Sequence, residues 1–121
     1  MKKLFPRRGY EITLNRVHDT LRIREDGETL TLTVNGDSLR MVAGLNKAQE
    51  KMKALDDNST DEEIRAAAEY FAAVLFGKEQ ADRLMAFYAD DAGCVISVCG
   101  KYFRERLAGK IAEKQKKLKG V

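Results

Sequence analysis

The sequence is poor in the residues that carry most metal and nucleophilic chemistry: it has one histidine, two cysteines and no tryptophan. Cys94 and Cys99 do not form a CxxC pair, and five residues of α-helix turn two side chains about 140° apart. They cannot easily share a metal ion, and His18 is distant from both in the sequence, so no zinc site is expected. Both cysteines read as small buried residues. His18 lacks a serine or cysteine arrangement for nucleophilic catalysis and reads as a turn residue. No apolar run approaches the ~20 residues that cross a bilayer, and Leu4-Phe5-Pro6, set between Lys2-Lys3 and Arg7-Arg8, is too short for a signal peptide. The expected address is the cytoplasm, where the thiols stay reduced. No cofactor site and no catalytic constellation is read, so the chain is expected not to be an enzyme.

What is present is enough for one core. A chain of 121 residues with 44% apolar residues buries roughly two-thirds of its unfolded surface, and a single domain over residues 1–121 is expected. The charged share of 34% exceeds the ordinary ~25%. Lys plus Arg number 22 against 19 Asp plus Glu, a net charge of +3 that is too small to indicate nucleic acid by itself.

From Tyr10 to Val34 the apolar pattern has period two, the repeat of strands with one buried face. Tyr10, Ile12 and Leu14 form one set, Leu21 and Ile23 a second, and Leu30, Leu32 and Val34 a third. Asp26-Gly27 suits a two-residue hairpin turn, in which both central residues take positive φ. The reading is a short antiparallel β-meander over residues 9–36, with its first link near Val17-His18-Asp19-Thr20 and its close at Asn35-Gly36. Asp37 or Ser38 then caps a helix whose apolar stripe is Leu39, Val42, Leu45, Met52 and Leu55. Gly44 sits inside that helix and weakens it by ~1 kcal/mol relative to alanine.

Thr60 with Glu63 three residues on fits a capping box. It opens a second helix that buries Ile64, Ala67, Ala68, Phe71, Val74 and Leu75 and stops at Phe76-Gly77. A third helix runs from about Glu79 to Tyr88, with Ala81, Leu84, Met85 and Tyr88 on one side. A fourth begins near Ala92 and carries Val95, Cys99, Tyr102 or Phe103, Leu107 and Ile111. About four helices thus span residues 37–112, and the lysine-rich segment 113–121 reads as a frayed, solvated tail. Strands and helices sharing one core make an α+β domain.

Two charge features remain. Asp56, Asp57, Asp61, Glu62 and Glu63 lack the glycine and alternating ligands of a cation loop, and they suit the positive end of a helix dipole. Basic residues gather at Lys2, Lys3, Arg7 and Arg8 and again at Lys110, Lys114, Lys116, Lys117 and Lys119. The terminal lysines lack interleaved aromatics, and the Glu79–Tyr88 helix is too acidic for a groove-reading helix, which argues against specific nucleic-acid binding.

A β-meander, an amphipathic helix, the segment Tyr70-Phe71-Ala72-Ala73-Val74-Leu75-Phe76-Gly77-Lys78-Glu79-Gln80-Ala81, and a closing helix through Ile96-Ser97-Val98-Cys99-Gly100-Lys101-Tyr102-Phe103 follow one another. This layout resembles the tail assembly chaperones of long-tailed phages and prophages. The resemblance implies a non-enzymatic helper in the bacterial host cytoplasm that coats the tape measure protein and recruits tail tube protein. It also implies a longer product made by ribosomal frameshifting near the gene's end, where Lys116-Lys117 lies.

Such a protein needs exposed apolar positions with charge beside them. The candidates are Met85, Phe87, Tyr88, Tyr102 and Phe103, with Arg104, Lys110 and Lys114 as neighbouring charge. An apolar face left over from four amphipathic helices would support a homo-oligomer; no membrane partner is expected. The alternatives are a small basic nucleic-acid-associated or regulatory protein, and a phage structural component of the tail or head-joining type.

Overall fold

In a computed structural model, which describes the backbone of residues 16–119 and side chains as far as residue 116, the chain is an α+β domain: a β-hairpin followed by helices. β1 (Arg16–Glu25) and β2 (Glu28–Asp37) pair antiparallel in unbroken register from Arg16↔Asp37 to Glu25↔Glu28. Asp26 and Gly27 both take positive φ, 51° and 81°, as a two-residue turn matched to strand twist requires. The described residues therefore contain two strands, and the expected strand at Tyr10–Leu14 lies outside them. The link expected at Val17–Thr20 is corrected: these residues lie in the interior of β1, so His18 is a strand residue, opposite Asn35. Pairing also continues through Asn35 and Gly36 to Asp37.

Val17, Asp19, Leu21 and Ile23 of β1 share the inner face with Leu30, Leu32 and Val34 of β2. The free edge of β2 is blunted by a side chain. Gln80 Oε1 accepts from the Thr33 N–H at 2.8 Å, and Gln80 Nε2 donates to the Thr33 carbonyl at 2.8 Å and to the Phe76 carbonyl at 2.7 Å. One amide thus occupies a stretch of edge where another strand could add, and satisfies a carbonyl at a helix end.

α1 (Ser38–Lys53) is capped by Asp37, whose carboxylate accepts from the Leu39 N–H at 2.8 Å. Its buried residues are Ser38, Met41 and Ala48; Val42, Leu45 and Met52 of the expected stripe pack against the core, while Leu39 is 56% exposed. α2 (Asp61–Phe76) starts at the capping box, with Thr60 and Glu63 each accepting from the other's backbone N–H. It is the central helix, touching α1, β2 and both helices that follow. Gly77, at φ 86°, ends it and begins α3 (Lys78–Phe87).

α3 ends in a Schellman-type turn: Asp90 N–H donates to the Met85 carbonyl and Ala89 N–H to the Ala86 carbonyl. Ala89 has φ 52° there, at the position where glycine is usual. A Cβ in the left-handed region costs about 1 kcal/mol. Ala89→Gly is therefore expected to raise stability by about 0.5–1 kcal/mol, seen as a higher midpoint in urea melts; an unchanged or lower midpoint would show that the turn carries no strain.

The last helical rod comprises α4 (Ala92–Tyr102), a π-helical turn (Phe103–Leu107) and α5 (Ala108–Lys119). Its buried positions are Val95, Cys99, Tyr102, Leu107 and Ile111. The five-residue step from Tyr102 to Leu107 would carry Leu107 off the core face of an α-helix. The π-turn absorbs the extra residue, with Ala108 N–H donating to the Phe103 carbonyl. The basic segment expected to fray continues in helical conformation to Lys119.

Candidate functional site

Three charged or polar groups from distant parts of the chain meet where the π-turn passes β1. Asp19 is on the inner face of the hairpin, and its side chain is only 5% exposed. Arg106 donates from Nε to Asp19 Oδ2 at 2.6 Å and from a terminal nitrogen to Oδ1 at 2.9 Å, while Tyr102 Oη donates to Oδ2 at 2.7 Å. The Arg106 hydrogen bonds hold the Asp19 carboxyl down at about 2, against the upward push of burial. Burial and the bond to Asp19 push the Tyr102 hydroxyl well above its usual range. This bidentate latch fixes the rod against the hairpin and determines which side chains of the π-turn remain outside.

Of the π-turn residues that the latch leaves outside, Phe103 and Arg104 face a groove, and Glu105 is exposed beside them. Phe103 is half-buried and Arg104 exposed, at one end of a groove of about 560 Å³. α1 contributes Leu45, Asn46, Gln49 and Met52, α2 contributes Phe71, and α4 contributes Ile96, Ser97 and Gly100. Leu45, Met52, Phe71, Ile96 and Phe103 make an apolar floor, and Asn46, Gln49, Ser97 and Arg104 make a polar rim. Gly100 makes room for the Arg104 guanidinium: a Cβ there would lie 3.1 Å from its terminal nitrogen. No carboxylate within ion-pair distance of Arg104 occurs among the described residues.

The other expected partner-binding residues divide. Met85 and Tyr102 are buried in the core, which corrects their assignment to an exposed surface. Both belong to the main hydrophobic core cluster, and the Tyr102 ring lies tilted against Phe76, with ring centroids 5.8 Å apart. Phe87 and Tyr88 are half-buried and pack edge to face at 5.2 Å; Tyr88 Oη donates to Glu25 Oε1 at 3.2 Å and so holds the hairpin tip. Lys110 and Lys114 line a separate cavity of about 460 Å³ with Arg16, Val17, His18 and Glu113. The fold thus joins the α5 lysines to β1. The basic residues at positions 2–8 lie outside the described ones.

Leu45, Met52 and Ile96 were missing from the expected site. Leu45 and Met52 belonged to the predicted apolar stripe of their helix, but nothing local marks which part of a stripe is left open. Neither thiol is poised for attack. Burial pushes Cys99 up to about 12, and a hydrogen bond with Asp91 raises Cys94. No three His, Cys, Asp or Glu side chains among the described residues are grouped to hold a metal ion, and no helix among them is long and apolar enough to cross a membrane. No family model, curated protein or solved structure matches the chain.

Proposed function

We propose that the chain is a non-catalytic binding protein whose α1–α2–α4 groove receives an apolar helical segment of a partner. In the more specific form of this reading it is a tail assembly chaperone of a long-tailed phage or prophage. Its partners would then be the tape measure protein and the tail tube protein, met in the host cytoplasm. The observation that carries the reading is the groove, with an apolar floor and a polar rim that includes Arg104, which has no ion pair among the described residues.

Leu45 to Met52 spans seven residues, about 10 Å of helix, so the floor accommodates roughly two turns of a partner. Such a partner presents apolar residues at i, i+3 or i+4 and i+7, with an acid placed to meet Arg104. A tape measure protein is long, helical and aggregation-prone, and covering its apolar stripes requires an open groove with charge beside it.

Co-expression with the long helical protein encoded nearby tests the reading. A soluble complex that is lost with Ile96→Glu and weakened about fivefold by Arg104→Gln is expected, the latter being the scale of one solvent-exposed charge pair. A partner that gains no solubility, or a complex indifferent to Ile96→Glu, would sink it.

A further inference from the structure

The hairpin has a second, outer face. Alternation along β1 sends Arg16, His18, Thr20, Arg22 and Arg24 away from the core, and the register places them across from Asp37, Asn35, Thr33, Thr31 and Thr29. Every one of these residues except Asp37 is exposed, and Gln80 of α3 reaches Thr33 from the edge of β2. Asp37 is engaged as the cap of α1. The remaining positions hold three arginines, a histidine, four threonines and an asparagine, with neither an acid nor an apolar residue. Arg16 Nε donates to Asn35 Oδ1 at 3.0 Å, and among the described residues no outer-face arginine has an ion pair. At the start of β1 this face adjoins the cavity lined by Lys110 and Lys114, where Glu113 is the one acid among the described residues.

From these observations we infer that the outer face of the hairpin, extended by Lys110 and Lys114, is a binding surface for duplex DNA. The class of partner follows from what the face lacks. Protein interfaces have an apolar centre within a polar rim, and this face has no apolar residue. Protein–DNA interfaces are polar and strongly positive. A two-stranded ribbon fits the B-form major groove, whereas the major groove of an RNA duplex is too narrow to be read by side chains. At about 3.4 Å per residue the row from Arg16 to Arg24 is roughly 27 Å long. Threonine and asparagine add uncharged donors between the arginines, the mixture that meets phosphates and base edges. The surface is separate from the helix-binding groove, so it stands or falls independently of that reading.

Fluorescence anisotropy with a labelled DNA duplex of about 20 base pairs at graded KCl tests it. Binding at about 50 mM KCl is expected, with affinity falling as log salt with a slope near −4, the signature of four to five phosphate contacts. Arg22→Gln with Arg24→Gln should lower affinity at least tenfold and reduce the slope by about 2. Lys47→Gln with Lys53→Gln, the same charge change on α1, should alter affinity less than threefold. An RNA duplex of equal length should bind at least fivefold more weakly, and that comparison needs no variant. The inference is overturned by absence of binding at low salt, by equal losses in the two double variants, or by equal or tighter binding of the RNA duplex or of polyglutamate.

Discussion

Asp19→Ala is expected to cost about 2–3 kcal/mol of folding stability. The carboxylate is 5% exposed and receives two bonds from Arg106 and one from Tyr102. A hydrogen bond to a charged group contributes about 1.5–3 kcal/mol, and its loss leaves the Tyr102 hydroxyl without its acceptor. Arg106 is 59% exposed, so its share is reduced by solvent and the total stays below the sum of the bonds.

The same group produces a pH dependence of known sign. The folded carboxyl titrates at about 2, below its ordinary 3.8. Its stabilisation is therefore complete above about pH 4 and is lost as pH falls from there through about 2. Urea melts of the native chain and of Asp19→Asn should differ by about 1–2 kcal/mol at pH 7 and converge near pH 2. Parallel curves across this range would show that the latch does not titrate as the geometry requires.

Gly44→Ala is expected to destabilise, against the helix-propensity rule. An added Cβ would lie 2.9 Å from Val74 Cγ1 and 3.0 Å from Cγ2. Valine has one strongly preferred rotamer in a helix and cannot swing away. Overpacking costs about 1–3 kcal/mol, while alanine returns about 1 kcal/mol of propensity, so a net loss of up to about 2 kcal/mol remains. In a Val74→Ala background the obstruction is gone, and the same substitution should become stabilising by up to about 1 kcal/mol. This change of sign is the test: Gly44→Ala stabilising the native chain would mean that α1 and α2 are not in close contact at this point.

These two sites also show where the sequence was legible. The Asp26-Gly27 turn, the Thr60–Glu63 capping box and the Gly77 helix stop each rest on chemistry within a few residues, and each occurs where expected. Val17–Thr20 reads as a link because Asp19, at an inward strand position, looks like a break in the apolar alternation. What makes it a core-facing residue is Arg106, which lies 87 positions away in the sequence. Gly44 looked like a weakness for the same reason, since the side chain that fills its space belongs to another helix.

The ambiguity between Tyr102 and Phe103 had a physical source as well. Buried positions four and three apart lead to Tyr102, but Leu107 then falls five residues on, and only the π-turn reconciles the two. That turn is what leaves Phe103 and Arg104 at the groove, so the candidate site depends on the feature that helical periodicity cannot express. The basic residues were legible as composition but not as a surface. The row on β1 alternates with core residues, and the cavity beside it is completed by α5.

Occupancy of the α1–α2–α4 groove by a partner helix can be read by methyl NMR on the intact chain. Titration with a helical segment of the partner should shift Leu45, Met52 and Ile96 together, leaving Leu39 unmoved. Ile96→Glu, with an unchanged urea midpoint, should weaken binding about 30-fold or more, the scale of a central interface residue. Shifts that avoid these three residues, or undiminished binding by Ile96→Glu, would rule the groove out as the binding site.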